Sequence, residues 1–213
     1  KKIYLYEPNL VVGKSNRFFI PFCYKIFCHS KKIKKYPSKF QKKIFILSPL
    51  VRKRFYNSDK KQKSKFTLLV IGGSQGAKIF DQYFHEVLCR LFKKSNFKII
   101  HQTKFNNIMY LRNFYNKKKI INKAFEYDKK FSDIMKSCNF CITRAGASTL
   151  AELFISNIPF LTIPLPNSKD NHQYENAMFY KKNNCCWILD EKKINKTKIY
   201  KILSKIFKNK KSI

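Results

Sequence analysis

From position 66 onward, short apolar runs alternate with longer stretches in which apolar residues recur every three or four positions. That alternation predicts a parallel sheet built from βαβ units. The predicted strands are FTLLVI (66–71), FKIIH (97–101), KKIINKAF (118–125), NFCIT (139–143), FLTI (160–163) and CWIL (186–189). Several are apolar on both faces, as strands covered by helices on both sides should be. Between the first two, Ala77, Phe80, Phe84, Val87, Leu88 and Leu91 fall at helical spacing. Further helices are expected from about Ala147 to Ser156, carrying Leu150, Leu153 and Phe154, from about Asn171 to Asn183, and from Lys196 onward.

The first fifty residues read as a separate unit. They hold a strand over IYLY, a turn at Glu7-Pro8-Asn9, a helix through Phe18 and Phe19, and strands near Tyr24 to Cys28 and Ile44 to Leu47. The stretch KRFYNSDKKQKSK has no apolar period and reads as a linker. The expected division is therefore 1–52 as the end of an N-terminal α/β domain, 53–65 as linker, and 66–213 as a C-terminal domain. Position 1 is not Met, and Lys1-Lys2 leads at once into a strand and Glu7 rather than into the apolar core of a secretory leader. No apolar run approaches the roughly 20 residues of a membrane-spanning helix.

Charge changes this picture less than its size suggests. The chain carries 46 Lys and Arg against 12 Asp and Glu, a net charge of +34. Only Arg17, Arg52, Arg54, Arg90, Arg112 and Arg144 are arginines; the rest are scattered lysines in a chain also rich in Ile, Asn and Phe. Scattered Lys is a solvated surface before it is a polyanion site, although attraction to an anionic membrane surface follows from the charge itself. At 44% hydrophobic the chain is too apolar for a disordered polycation. The odd set of seven cysteines in apolar contexts fits buried thiols in a reducing compartment. Cys138 and Cys141 have the spacing of a zinc knuckle, but within a strand it would send the two thiols to opposite faces, and no metal site is expected.

The strongest chemical signal is VIGGSQGAK (70–78), a strand running into a helix through a turn that holds three of the chain's five glycines. Glycine lets backbone approach a ligand, and a helix start aims free N–H groups at an anion, so a diphosphate is the expected guest. The spacing matches neither the dinucleotide GxGxxG nor the NTPase GxxxxGK[ST] pattern. Arg144-Ala145-Gly146-Ala147-Ser148-Thr149-Leu150-Ala151-Glu152 follows the strand NFCIT and opens a helix at the carboxyl edge of the sheet, where open α/β proteins bind ligands. Glu152 there is suited to accept from a ribose diol, or else simply favours its helix end by charge. PLPNSKDNHQYENA (164–177) brings Asp170, Asn171, His172, Gln173 and Asn176 to the next edge loop, an amide-rich face for sugar hydroxyls. His101-Gln102-Thr103 occupies the equivalent place after FKIIH, with His101 as readily structural as functional.

Taken together, GGSQGA (72–77), HQT (101–103), RAGASTLAE (144–152) and DNHQYENA (170–177) resemble the MurG glycosyltransferase family in order and spacing. Upstream, Glu7-Pro8-Asn9 is similar to the family's Glu-Gln-Asn, and SPLVR (48–52) to its Asn-Pro-Val-Arg-like element. The resemblance implies an α/β GT-B fold with a Rossmann-like C-terminal domain holding the donor. It also implies inverting transfer of N-acetylglucosamine from UDP-N-acetylglucosamine to undecaprenyl-linked lipid I, giving lipid II, without a metal or other cofactor. On that resemblance Gly73, Ser74, Gln75 and Gly76 would hold the diphosphate and Glu152 the ribose. Arg52 and the backbone near Tyr127 and Asp128 would face the uracil, while Ala147, Ser148, Thr149, His172, Gln173 and Asn9 would line the sugar. Pro8 and His172 depart from the family pattern, which expects Gln at each.

The family's glycine-rich N-terminal loops, with the proposed catalytic base, have no counterpart in this sequence, and neither does its long C-terminal tail. The expectation is a fragment that retains the donor half and works at the cytoplasmic face of the bacterial inner membrane as a peripheral protein. A rival reading makes the chain the donor-binding subunit of a two-chain transferase. A nucleic-acid-binding module is the remaining rival, with no reader motif to support it, so no specific nucleic-acid partner is expected.

Overall fold

The computed structural model describes residues 1–56, 65–73 and 78–208. Its first part is a three-stranded parallel sheet of β1 (Tyr4–Glu7), β2 (Lys25–Cys28) and β3 (Ile44–Ile46), in that spatial order. α1 (Lys14–Phe19) joins β1 to β2. Ile26 and Cys28 alternate with Lys25 and Phe27 along β2, and it is the former pair that packs into a core with Val12, Ile20 and Ile33.

The second sheet has six parallel strands: β4 (Thr67–Ile71), β5 (Lys98–Gln102), β6 (Asn122–Phe125), β7 (Phe140–Thr143), β8 (Phe160–Thr162) and β9 (Cys186–Ile188). Their order is β6-β5-β4-β7-β8-β9, so the winding reverses between β4 and β7, as in doubly wound dinucleotide-binding folds. β4 is buried along its whole length, and its period of two sends Leu68 and Val70 into one core and Leu69 and Ile71 into another. The first core is closed by α2 (His85–Phe92), α3 (Phe105–Lys117) and α7 (Lys196–Lys208), through Leu88, Leu111, Tyr115 and Leu203. The second is closed by α4 (Phe131–Lys136), α5 (Ala147–Ile155) and α6 (His172–Lys182), through Met135, Leu150, Leu153 and Tyr180.

All six predicted strands of this sheet are present, with KKIINKAF trimmed to Asn122–Phe125 because Lys118 and Lys119 instead close α3, Lys119 at positive φ. α3 and α4 were not predicted. α3 buries only Leu111 and Tyr115, and α4 is six residues long, so neither shows a sustained apolar stripe. The expected linker is also shorter at its start. Lys53–Phe55 forms a 3-10 turn that buries Phe55 to 1% exposure in the second core, an anchor that a single apolar residue among lysines does not advertise. Cys138 and Cys141 do not face opposite ways: Cys138 lies in the turn before β7, outside the strand's alternation, and both thiols enter the second core. Burial pushes the Cys141 thiol well up.

α2 is entered through a π-helical turn over Phe80–Phe84, and this turn is tied to the end of β5. Asp81 accepts from Thr103 Oγ1 at 2.7 Å and Asn107 Nδ2 at 2.9 Å, and His101 Nε2 lies 3.3 Å from its other oxygen. Tyr115 Oη meets His101 Nδ1 at 2.9 Å. His101 is thus a fully buried strut.

Two outcomes follow. Phe55→Ala should lower unfolding free energy by about 3 to 5 kcal/mol, as for other buried Phe truncations, measured by urea denaturation; a change near zero would make residues 53–56 a free tether. Burial raises the Asp81 pKa, but the donors His101, Thr103 and Asn107 outweigh it and hold the carboxyl below its ordinary value. The unfolded chain then binds the proton first, so this stabilisation is complete above the usual Asp pKa of about 3.9 and is lost as pH falls through the lower folded value. Asp81→Asn should accordingly flatten the fall in denaturation midpoint below about pH 4, and an unchanged acid limb would place the acid sensitivity elsewhere.

Candidate functional site

The carboxyl ends of β4 and β7 lie side by side at the reversal of winding. Gly72 and Gly73 leave β4, with Gly73 at φ 77°, in the left-handed region that favours glycine. Ser74, Gln75 and Gly76, and the expected helix start at Ala77, lie outside the described residues. Arg144, Ala145 and Gly146 leave β7 and turn into α5, whose N-cap Gly146 brings no side chain to the helix end. The first N–H groups of α5 therefore remain for a guest.

Two clefts open on these turns. One, of about 490 Å³, is lined by Gly72, Gly73, Arg144, Ala147, His172 and Gln173, among others. The second, of about 550 Å³, is lined by Arg52, Tyr127, Asp128 and Glu152, together with Gln102. Gly73, Ser148 and Thr149 belong to both, so the start of α5 is the wall between them. Arg144 and Lys169 in the first cleft, and Arg52, Arg54 and Lys129 in the second, outnumber the carboxylates Asp128 and Glu152. The balance favours an anion.

Glu152 is on the second turn of α5, past the first-turn positions where charge complements a helix end, and its carboxylate is buried to 7% exposure. Arg52 grips it with a fork: Nε donates to Oε1 at 2.8 Å and Nη2 to Oε2 at 3.1 Å. The same guanidinium lies over the Phe55 ring at 5.2 Å. A two-point, charge-assisted pair of this kind is directional and strong. Arg52 and Glu152, expected to serve different parts of a nucleotide, are thus brought into direct contact.

Tyr127 projects at the rim of the second cleft, 79% exposed. Asp128 accepts from Lys123 Nζ at 2.6 Å and from the Lys130 N–H at 2.8 Å, and these two donors, Lys123 first, hold its carboxyl below the ordinary value. Beside the first cleft, Asp170 and Asn171, which do not line it, both stand at φ 56°, a sharp left-handed bend of the kind Asp and Asn tolerate. It leads directly into α6, whose first residues are His172 and Gln173. His172 Nδ1 lies 2.7 Å from the Lys169 carbonyl and must be the protonated nitrogen there. Gln173 Oε1 accepts from the Ala145 and Leu165 N–H groups, at 3.2 and 3.0 Å, which leaves its NH₂ as the donor for a guest.

One expected residue is not brought to the site. Asn9 lines neither cleft; its Nδ2 donates to Glu7 at 3.1 Å and its Oδ1 accepts from Asn176 at 3.0 Å. Several lining residues were not singled out as individuals, Gln102 and Arg144 among them. Gln102 faces the second cleft while its neighbour His101 faces the core, a division that strand alternation predicts. Arg144 lines the first cleft, donates to the Ile163 carbonyl at 3.1 Å, pairs with Glu191 and lies over Phe80. Its place straight after β7 was the available signal. Among the described residues no cluster of three or more His, Cys, Asp or Glu is arranged to hold a metal.

Residues 67–213 match the glycosyltransferase family 28 C-terminal domain. A Pelagibacter ubique transferase is 46% identical over 98% of this chain, and one from Rickettsia bellii is 32% identical over 97%. Both are named UDP-N-acetylglucosamine–N-acetylmuramyl-(pentapeptide) pyrophosphoryl-undecaprenol N-acetylglucosamine transferase. The chain spans 59% and 61% of their lengths. The crystal structure of Acinetobacter baumannii MurG aligns with a TM-score of 0.80 at 19% identity, covering 99% of this chain and 59% of that one. The fold is thereby that of the GT-B glycosyltransferases, and the match over residues 67–213 shows that the chain belongs to glycosyltransferase family 28.

Proposed function

We propose that this chain is the donor-binding part of an inverting transferase that moves N-acetylglucosamine from UDP-N-acetylglucosamine to undecaprenyl-linked lipid I, giving lipid II. The observation that carries the reading is the pair of clefts meeting at the start of α5, at the reversal point of the sheet. A nucleotide-sugar is a two-part anion, and here two adjacent clefts share one wall of free N–H groups. The names of the transferases from Pelagibacter ubique and Rickettsia bellii agree with it in donor and acceptor.

In this reading residues 1–52 are the end of an acceptor-side domain and 66–213 the donor domain. The diphosphate lies between Gly73 and the start of α5, where the helix dipole and N–H groups stabilise the UDP leaving group as its charge develops. The nucleoside takes the second cleft, its ribose against Glu152 and its uracil toward Tyr127 and Asp128. Ribose hydroxyls then share the Glu152 carboxylate with Arg52 or take it over, so Arg52 serves the nucleoside through Glu152. The sugar takes the first cleft, against Ala147, Ser148, Thr149, His172 and the NH₂ of Gln173. The attacking hydroxyl also needs a general base, which this reading assigns to the acceptor side rather than to the residues lining these clefts.

The lipid acceptor calls for work at a membrane surface on its cytoplasmic side. No described helix is long and apolar enough to cross a membrane. Phe18 and Phe22 stand exposed on and just after α1, which also carries Lys14 and Arg17. Exposed aromatics beside cations suit peripheral contact with anionic lipid.

Calorimetric titration of the chain with UDP tests the site. Glu152→Ala should weaken UDP by about one to two decades in Kd, the equivalent of about 1.5 to 3 kcal/mol for a hydrogen bond to a charged group. A 2′,3′-dideoxy analogue should be nearly indifferent to the change; equal losses for both ligands would remove Glu152 from the ribose. Gly73→Val puts a β-branched side chain at positive φ, a strain of about 1 to 2 kcal/mol. UDP affinity should fall at least several-fold in a variant with wild-type circular dichroism, and unchanged affinity would move the phosphates elsewhere.

A further inference from the structure

Asn176, the fifth residue of α6, lines neither cleft and is 1% exposed, yet it holds three chain segments together. Its Oδ1 accepts from the Leu10 N–H at 3.0 Å, and its Nδ2 donates to Asn9 Oδ1 at 3.0 Å and to the Ala145 carbonyl at 3.3 Å. The backbone partners settle the orientation of the amide, because an N–H must meet oxygen and a carbonyl must meet a donor. Gln173 stands three residues earlier on α6, hence on the same face. Its Oε1 accepts from the Ala145 N–H. Two amides of one helix therefore grip both backbone polar groups of Ala145, directly before the cap of α5.

On the far side the network continues to the end of β1. Asn9 donates to Glu7 through its backbone N–H at 3.0 Å and its side chain at 3.1 Å. Glu7, 2% exposed, also accepts from the Gly13 N–H at 2.8 Å and Asn16 Nδ2 at 3.0 Å. A buried carboxylate and two side-chain amides thus form an unbroken polar route from the first sheet to the turn before α5. Buried groups this fully paired are rigid, because releasing any one strands the others without water.

We propose that Asn176 is a positioning residue for the donor sugar. By fixing Ala145 it sets where Ala147, Ser148 and Thr149 present themselves to the first cleft. By holding Asn9 and Leu10 it ties that placement to the first sheet. Asn9 shares in that placement through Asn176. The inference rests on the reading of the first cleft as the sugar site.

The measured quantity is the ratio of UDP to UDP-N-acetylglucosamine dissociation constants in the full chain, which isolates the sugar's share of binding. Asn176→Ala removes all three bonds. Asn176→Asp keeps the acceptor for Leu10 but turns an anionic oxygen toward Asn9 Oδ1 and the Ala145 carbonyl. Both should cut the ratio at least fivefold while UDP affinity stays within about threefold. A lowered melting temperature with the ratio intact would make Asn176 merely structural and overturn the proposal, leaving the site reading in place. Wild-type chain that binds neither ligand would overturn the site reading, and the proposal with it. Should both variants fail to fold, amide exchange of the wild type decides: UDP-N-acetylglucosamine should slow the Leu10 N–H more than UDP does, and equal exchange with the two ligands would overturn the proposal.

Discussion

Everything functional in this molecule depends on β4 being a central parallel strand with no exposed face. A fully buried TLLVI can satisfy its backbone only through two parallel neighbours, and its side chains only by helices on both sides. The chain meets both demands by winding one way through β5 and β6 and the other way through β7, β8 and β9. Reversal at β4 and β7 forces the segments leaving those two strands apart, to opposite faces of the sheet. The crevice between them follows from topology, before any side chain is chosen.

Part of the crevice wall is backbone. The start of α5 offers N–H groups that nothing in the helix can take, and its cap residue is glycine. Side chains then hold this backbone in place. Gln173 and Asn176 clasp Ala145, Arg144 ties the end of β7 to the Ile163 carbonyl and to Glu191, and Asp81 ties the π-helical turn to Thr103. Each contact satisfies a polar group that is at least partly buried, and leaving the fully buried one at Asn176 unpaired would cost roughly 1 to 3 kcal/mol.

The pairing of Arg52 with Glu152 has a different character. Glu152 is nearly buried and would be expensive to leave unpaired, whereas Arg52 is half in solvent and rests on Phe55. The fork therefore keeps a desolvated carboxylate available in the second cleft. It also links the segment around Arg52 to the larger sheet's α5, as Asn9 and Asn176 link the end of β1 to α6.

Periodicity and turn chemistry carried the architecture. Short apolar-rich runs marked all six strands of the large sheet, and glycine clustering located the turn after β4. The rules behind both act over a few residues, which is why they are legible in the sequence. α3 and α4 escaped because each buries too few side chains to print an apolar stripe, and Phe55 because one anchoring ring among lysines resembles a linker. The site divided in the same way. Cleft-lining residues just beyond strand ends, such as Gly73 and Ser148, were readable because the carboxyl edge of a parallel sheet is where strands release their chain. Tertiary structure alone decided that Arg52 meets Glu152, 100 positions away in the chain, and that Asn9 backs onto Asn176. Such pairings are fixed by how two sheets and their helices come together, and no local pattern encodes that distance.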